Sequence, residues 1–147
     1  MTIRIEHPSL NELYAYWDRK RGERAAPARA DIDPVDIPHL LSNIFICQVA
    51  HEPRDYIVRL FGTALVEGLG RDLTGKSYSE IFPADVVARI HRDYDEVVEK
   101  CAPVTARKDA SWSDKSHLHY ELLLLPLSDD GKTVNRIVGA AYRLEPA

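Results

Sequence analysis

Residues 118–127, LHYELLLLPL, decide the fold. Successive side chains of a strand point to opposite faces, so Leu122 and Leu124 share one face while Leu123, Leu125 and Leu127 share the other. Both faces are apolar. An antiparallel sheet normally leaves one face wet, so a strand of this kind predicts a sheet covered on both sides. The expected cover for the second side is the stripe Leu10, Leu13, Tyr14 and Trp17, spaced i, i+3, i+4 and i+7 on one helix, in this chain or in a partner.

Working outward, residues 104–112 and 134–144 read as strands flanking 118–127, separated by SDKS and DDGK, whose Asp, Ser and Gly residues suit tight turns. Residues 43–50 (NIFICQVA) and 56–62 (YIVRLFG) are β-branched and aromatic runs joined by HEPRD, which predicts a hairpin. Between them and the last strands, residues 63–82 carry Gly68, Gly70 and Gly75 and have room only for short helical turns. Pro83 fits a first helical position. Val86, Ile90, Tyr94, Val97 and Cys101 then recur every three or four residues, predicting a helix of about 18 residues, ~27 Å long, that ends before Pro103. At the other end of the chain, Ser9 with Glu12 predicts a capping box and Gly22 a terminator for the first helix. Residues 23–38 read as an ordered connector in which Asp33 caps a short turn begun by Pro34.

The 147 residues suffice for one core, and 45% hydrophobic with 29% charged residues is ordinary globular usage. A net charge of −4 gives no ground for nucleic-acid binding, which rests on Lys and Arg against phosphate. Arg19, Lys20, Arg21 and Arg24 gather at the end of the first helix, where cations suit the helix dipole, and read as a solvated helix end. No apolar run approaches the ~18 residues of a membrane span, and the start MTIRIEHPSL lacks the core of a signal peptide, so a cytoplasmic protein is expected. Cys47 and Cys101 sit in apolar surroundings without CxxC spacing and read as packing thiols.

Several motifs, in this order and spacing, resemble the PAS superfamily: DLTGKS (72–77), FPADVVARI (82–90), the Pro103–Val104 loop after the long helix, and the final SDDGKTVNRIVGAAYRL (128–144) with Gly139 near a pocket. YWDRKRG and ARADIDP resemble the narrower group of stand-alone PAS-like proteins of alphaproteobacteria. The resemblance implies an α+β fold: a five-stranded antiparallel sheet with short helices, one long helix and an N-terminal amphipathic helix. It divides the chain into an N-terminal helix and connector (1–38) packed on a PAS-like domain (39–147). It implies a sensor or interaction module with no effector of its own, and no GxxxxGK[ST] phosphate loop is present.

The candidate pocket is Leu65, Leu69, Ile81, Ile90, Tyr94, Leu122, Leu124, Val138 and Tyr142, expected to face the space between sheet and helices. Leu10, Leu13, Tyr14 and Trp17 are the candidate partner or dimer interface. The cofactor is left unknown. Residues 63–82 lack the cysteine of flavin-adduct light-oxygen-voltage domains, and His91, about 100° around the helix from Ile90, is placed on a rim rather than as a haem ligand. His117, His119 and Glu121 alternate on one face of a strand, as zinc ligands can, but lack a fourth group, so no metal is expected. Ser111, Ser113, Asp114, Ser116 and His117 read as a turn rather than a catalytic triad, and Glu67, Asp72, Glu80 and Asp85 as loop and cap residues. The function expected is non-catalytic signalling through protein contact, with a sensor kinase or similar protein as partner, self-association as a homodimer and small-molecule sensing as a further role. A dedicated sensor of an apolar metabolite and a small α+β enzyme are the alternatives.

Overall fold

The computed structural model describes residues 3–110 and 115–144. Helix α1, Pro8–Arg21, begins one residue before the expected capping box. Proline at the first helical position needs no N–H partner and presets φ, and the preceding His7 supplies the cap, its Nδ1 accepting from Ser9 N at 3.1 Å. Ser9 is therefore inside the helix, and Glu12 pairs instead with His39. Gly22, at φ 60°, ends it. Short 3-10 turns follow at Arg29–Asp31, Pro34–Asp36 and Leu41–Asn43, the second capped by Asp33, whose carboxylate accepts from Val35 N.

The hairpin forms as expected from β1, Ile44–His51, and β2, Arg54–Phe61. Two short helices follow, α2 (Thr63–Leu69) and α3 (Tyr78–Ile81). The long helix α4 runs from Ala84 to Lys100, with Pro83 at its cap rather than inside it. Cys101 closes α4 at φ 48°. Strands β3 (Val104–Ala110), β4 (Lys115–Leu127) and β5 (Arg136–Arg143) complete the chain. The expected end of β3 at 111–112 lies outside the described residues, and β4 starts three residues earlier than predicted.

The five strands form one antiparallel sheet in the order β2-β1-β5-β4-β3. A register shift at Ile46/Cys47 leaves Arg59 unopposed, so Leu60 and Ile46 share one face while Val58 and Cys47 share the other. The free edge of β2 is covered by the loop before α3: Val58 N–H donates to Lys76 O at 2.9 Å and Gly75 N–H to Val58 O at 2.7 Å.

Both faces of the sheet are buried, as the leucine run predicts. The outer face joins Ile44, Ile46, Leu123, Leu125, Leu127, Val138 and Ala140 to Leu10, Leu13, Tyr16 and Trp17 of α1 and to Ala26, Ile32, Ile37 and Leu40 of the connector. Trp17, 2% exposed, also donates from Nε1 to Pro126 O at 2.8 Å, so α1 is fixed by a buried directional bond as well as by apolar contact. The inner face, under α2, α3 and α4, is lined by Phe45, Cys47, Val49, Tyr56, Val58, Leu124 and Ile137.

Candidate functional site on the helical face

The inner face takes its side chains from one alternation in each strand. Phe45, Cys47 and Val49 descend from β1, Tyr56 and Val58 from β2, Leu122 and Leu124 from β4, and Ile137 from β5. Gly139, the next inner position of β5, is a glycine because the Phe45 ring lies across it: a Cβ there would stand 2.3 Å from Phe45 Cζ. Above this layer α3 contributes Tyr78 and Ile81, α4 contributes Ile90, Tyr94 and Val97, and α2 contributes Leu65 and Leu69.

Aromatic rings fill the middle of this face. Tyr94 meets Tyr56 at 5.0 Å and Tyr78 at 5.4 Å, both edge to face, and stacks against Phe45 at 6.3 Å. Within this apolar packing lies one polar chain: Tyr94 OH to Tyr78 OH at 2.9 Å, and Tyr78 OH to Cys47 Sγ at 3.5 Å. Burial raises the pKa of all three groups. It pushes the Cys47 thiol up to about 12 and both phenols well above their ordinary value, so the chain consists of neutral hydroxyls and a neutral thiol.

A charged rim borders the rings where β2, α3 and α4 meet. Tyr56 OH donates to Asp95 Oδ1 at 2.5 Å, and burial followed by that carboxylate pushes the phenol up. His91 turns its Nε2 toward Asp55 Oδ1 at 3.3 Å and sets its ring edge-on to Tyr56 at 5.1 Å. Asp55 also receives the Ser79 hydroxyl and Tyr56 N–H.

A sheet of this order with α2, α3 and α4 on its inner face has known relatives. The family profile described as PAS domain matches residues 5–142. The chain belongs to the PAS domain family. Among solved structures, the sensory box sensor histidine kinase from Vibrio cholerae is similar at TM-score 0.56 and 14% identity, covering 77% of this chain and 90% of that one. A structure reported for a flavin analogue in a light-oxygen-voltage domain is similar at TM-score 0.54 and 12% identity, covering 76% and 83%. No curated protein matches the sequence. At these identities the solved structures support the fold of this PAS domain and nothing narrower.

Seven of the nine residues expected in the pocket come together on the inner face: Leu65, Leu69, Ile81, Ile90, Tyr94, Leu122 and Leu124. Val138 and Tyr142 do not. On β5 it is Ile137 and Gly139 that face the helices, and period-two alternation sends Val138 and Tyr142 to the outer face. There Val138 is buried, and Tyr142 stacks on His7 with ring centroids 4.3 Å apart. The pocket set also omitted Phe45, Cys47, Tyr56 and Tyr78. The alternation of 43–50 and 56–62 carried the signal for the first three; Tyr78 lies in a glycine-rich stretch with no period to read.

Leu10, Leu13 and Trp17, expected as an interface, are buried against the sheet of the same chain, and Tyr14 is half-buried beside them. The apolar stripe is satisfied within the monomer because both it and the sheet's outer face need covering. The basic cluster at the end of α1 is balanced locally: Arg21 by Asp18, Lys20 by Asp36 and Arg24 by Asp31, with Arg19 over the Tyr16 ring.

Of the three residues whose alternation resembles zinc ligands, His119 is exposed, the Glu121 carboxylate is committed to backbone N–H groups, and the His117 side chain lies outside the described residues. Ser111, Ser113 and Asp114 lie outside them too, as does the Ser116 side chain. Asp72 holds Thr74, Glu80 caps α3 through Ser77 N, and Asp85 pairs with Arg89, so these carboxylates perform turn and helix roles. Glu67 is exposed on α2. Among the described residues no helix is long and apolar enough to cross a membrane.

Proposed function

We propose that this PAS domain is a non-catalytic signalling module that senses a small apolar molecule on its helical face and passes the change to a protein partner. One contrast carries the reading. The outer face is sealed by α1 with Leu10, Leu13 and Trp17 at 2% exposure or less, whereas α2 places no fully buried side chain on the inner face. Leu65, Leu69, Ile81, Ile90 and Leu122 remain half-buried there. A helix seated by half-buried contacts opens at lower free energy than one sealed into the core, so a ligand gains entry beneath α2.

The ligand is smaller than a flavin. A flavin-sized ring system would have to displace Tyr78 and Tyr94, whose rings occupy the centre of the face. Residues 63–82 offer no cysteine for an adduct. The partner best supported is a cytoplasmic signalling protein such as a sensor kinase, in keeping with the resemblance to stand-alone PAS-like proteins, and a second copy of the chain would meet the Tyr14 side of α1.

Native mass spectrometry of the purified protein, with thermal melts against straight-chain alcohols of increasing length, tests the sensing. A ligand at 100 times its Kd stabilises the fold by about 2.7 kcal/mol, a shift of several degrees at this size. Leu65→Glu should abolish the shift while the protein still melts cooperatively. Melts that do not move with any alcohol, on protein that carries no retained mass, would reject the sensing.

A further inference from the structure

Arg136 opens β5 on the outer face of the sheet, where alternation with the inward Ile137 places its side chain between Gln48 of β1 and Leu127 of β4. It is half-buried, and its guanidinium meets no acceptor among the described residues: Nη1 is buried without one, while Nε and Nη2 reach the surface. Among the described residues the other half-buried cations are all satisfied. Lys20, Arg21, Arg54 and Lys108 each face a carboxylate, and Arg29 donates from Nη1 to Ile32 O at 2.7 Å. A guanidinium nitrogen buried without an acceptor costs the fold stability, so Arg136 points to a partner outside the chain rather than to a structural role.

The residues around it offer no rescue. Gln48, opposite Arg136, gives its Oε1 to Arg59, which donates from Nε at 2.9 Å and from Nη2 at 2.6 Å. In the turn between β4 and β5, Asp129 accepts from Asn135 Nδ2 at 3.0 Å. Asp130 accepts from the Ser128 hydroxyl and from the N–H groups of Lys132 and Thr133. Two guanidiniums therefore stand on either side of one amide, and neither has an ion pair among the described residues. Ile57, directly across from Gln48 on β2 and half-buried, belongs to neither buried layer of the sheet.

We propose that Arg136, Arg59 and Gln48 form a docking point for an acidic side chain of the protein partner. The forked donors of a guanidinium match the two oxygens of a carboxylate, and the Gln48 amide supplies a further N–H. The site is an open stretch of sheet, where salt and water screen an isolated anion, so a carboxylate carried by a larger contact surface is favoured over a free ion. Ile57 gives that surface an apolar contact beside the charges. The proposal rests on the reading above only in supposing a protein partner.

Two measurements on the full chain test it. Arg136→Met keeps the length of the side chain and removes the orphan charge, so this variant should melt at the wild-type temperature or above. A melt several degrees lower would give the guanidinium a structural role and overturn the proposal. The second measurement adds a synthetic peptide of alternating glutamate and leucine to 15N-labelled protein. The side-chain signals of Gln48, Arg59 and Arg136 should shift, and the same peptide with glutamine for glutamate should leave them in place. Arg136→Met and, at the exposed position, Arg59→Gln should each weaken the glutamate peptide about tenfold, the scale of a lost charge-assisted bond. Equal shifts with inorganic phosphate at matched charge would make this a free-anion site. Undiminished affinity in both variants would place the peptide elsewhere, and shifts that follow protein concentration alone would make a second copy the occupant. Each of these outcomes would overturn the docking point. None involves a ligand of the helical face, so the docking and the proposed sensing fail separately.

Discussion

The hydroxyls of Tyr78 and Tyr94 meet at 2.9 Å with their ring planes at 89°, and Tyr78 continues the chain to Cys47. Tyr78 is the middle member, so its loss strands both neighbours, whereas loss of Tyr94 still lets Tyr78 donate to the thiol. Tyr78→Phe should therefore cost about 1–3 kcal/mol and Tyr94→Phe about 1 kcal/mol. Because both remove the same bond, the double variant should cost less than the sum of the two. Urea titrations with an unchanged slope measure all three; equal costs for the two single variants would mean that Tyr78 is not the hub.

Gly139 permits the Phe45 ring to cross β5. Adding a methyl places a carbon 2.3 Å from Phe45 Cζ and 2.9 Å from Leu123 O, the second a backbone atom of a central strand that cannot step aside. Gly139→Ala should destabilise by about 1–3 kcal/mol or more, the range for overpacked cores. Phe45→Leu in the same chain should recover part of that loss, since it removes the ring but not the carbonyl. Thermal melts of the two variants distinguish a steric cause from a simple change in strand propensity, which would make Ala the better residue.

Trp17 and Tyr14 separate the two roles that the first helix was expected to combine. Trp17→Glu buries a carboxylate against Leu127 and Pro126 and removes the indole's bond, so cooperative folding should be lost; truncation of a buried Trp alone costs about 3–5 kcal/mol. Tyr14→Glu, at a half-buried position, should leave the melt within a few degrees and act on self-association if α1 meets a second copy. Sedimentation of wild type and Tyr14→Glu over a concentration series reads that difference directly.

Burial also predicts how the thiols react. Cys47 is fully buried with its pKa pushed up to about 12, so at neutral pH almost none of it is thiolate. Native protein treated with a disulfide reagent should show no modification at Cys47 until denaturant is added. Cys101, half-buried and raised more modestly by its burial, should react slowly in the native state. Mass mapping of the modified cysteine makes the comparison, and fast native labelling at Cys47 would show that the inner face opens far more often than its packing implies.

Much of the architecture was legible because period-two alternation is a strong signal in runs such as LLLLPL and FICQV. It gave the two buried faces and the covering helix. It failed on β5, where RIVGAAYR has small or apolar residues at nearly every position, so direction could not be read and Val138 and Tyr142 were assigned to the wrong side. Residues 63–82 hid Tyr78 for a different reason: short helices separated by glycines have no period, and only tertiary packing shows where each points. The capping box at Ser9 and Glu12 was overridden by Pro8, which moves the cap two residues back, from Ser9 to His7.

Asp55 gives the domain one acid-sensitive contribution that can be isolated. Burial of its carboxyl pushes the pKa upward, but hydrogen bonds from Ser79, Tyr56 N and Ser77, with His91 nearby, outweigh it and hold the group below its ordinary value. A group whose folded value is depressed stabilises the fold at pH above its unfolded value, about 3.9, and loses that contribution as pH falls through the folded value. Asp31 and Asp130 are also held low, so the wild-type acid slope belongs to several groups. The difference between wild type and Asp55→Asn isolates one of them. The variant should be less stable at pH 7, where the charged carboxylate anchors Ser79 of α3 and faces His91 of α4. The gap should begin to close as the pH falls below about 3.9 and vanish once the pH is below the lower, folded value, where the native carboxyl is itself neutral. Urea midpoints of both proteins at pH 7, 5, 4, 3 and 2 supply the curve, and a gap that stayed constant to the lowest pH would assign the loss to shape rather than charge.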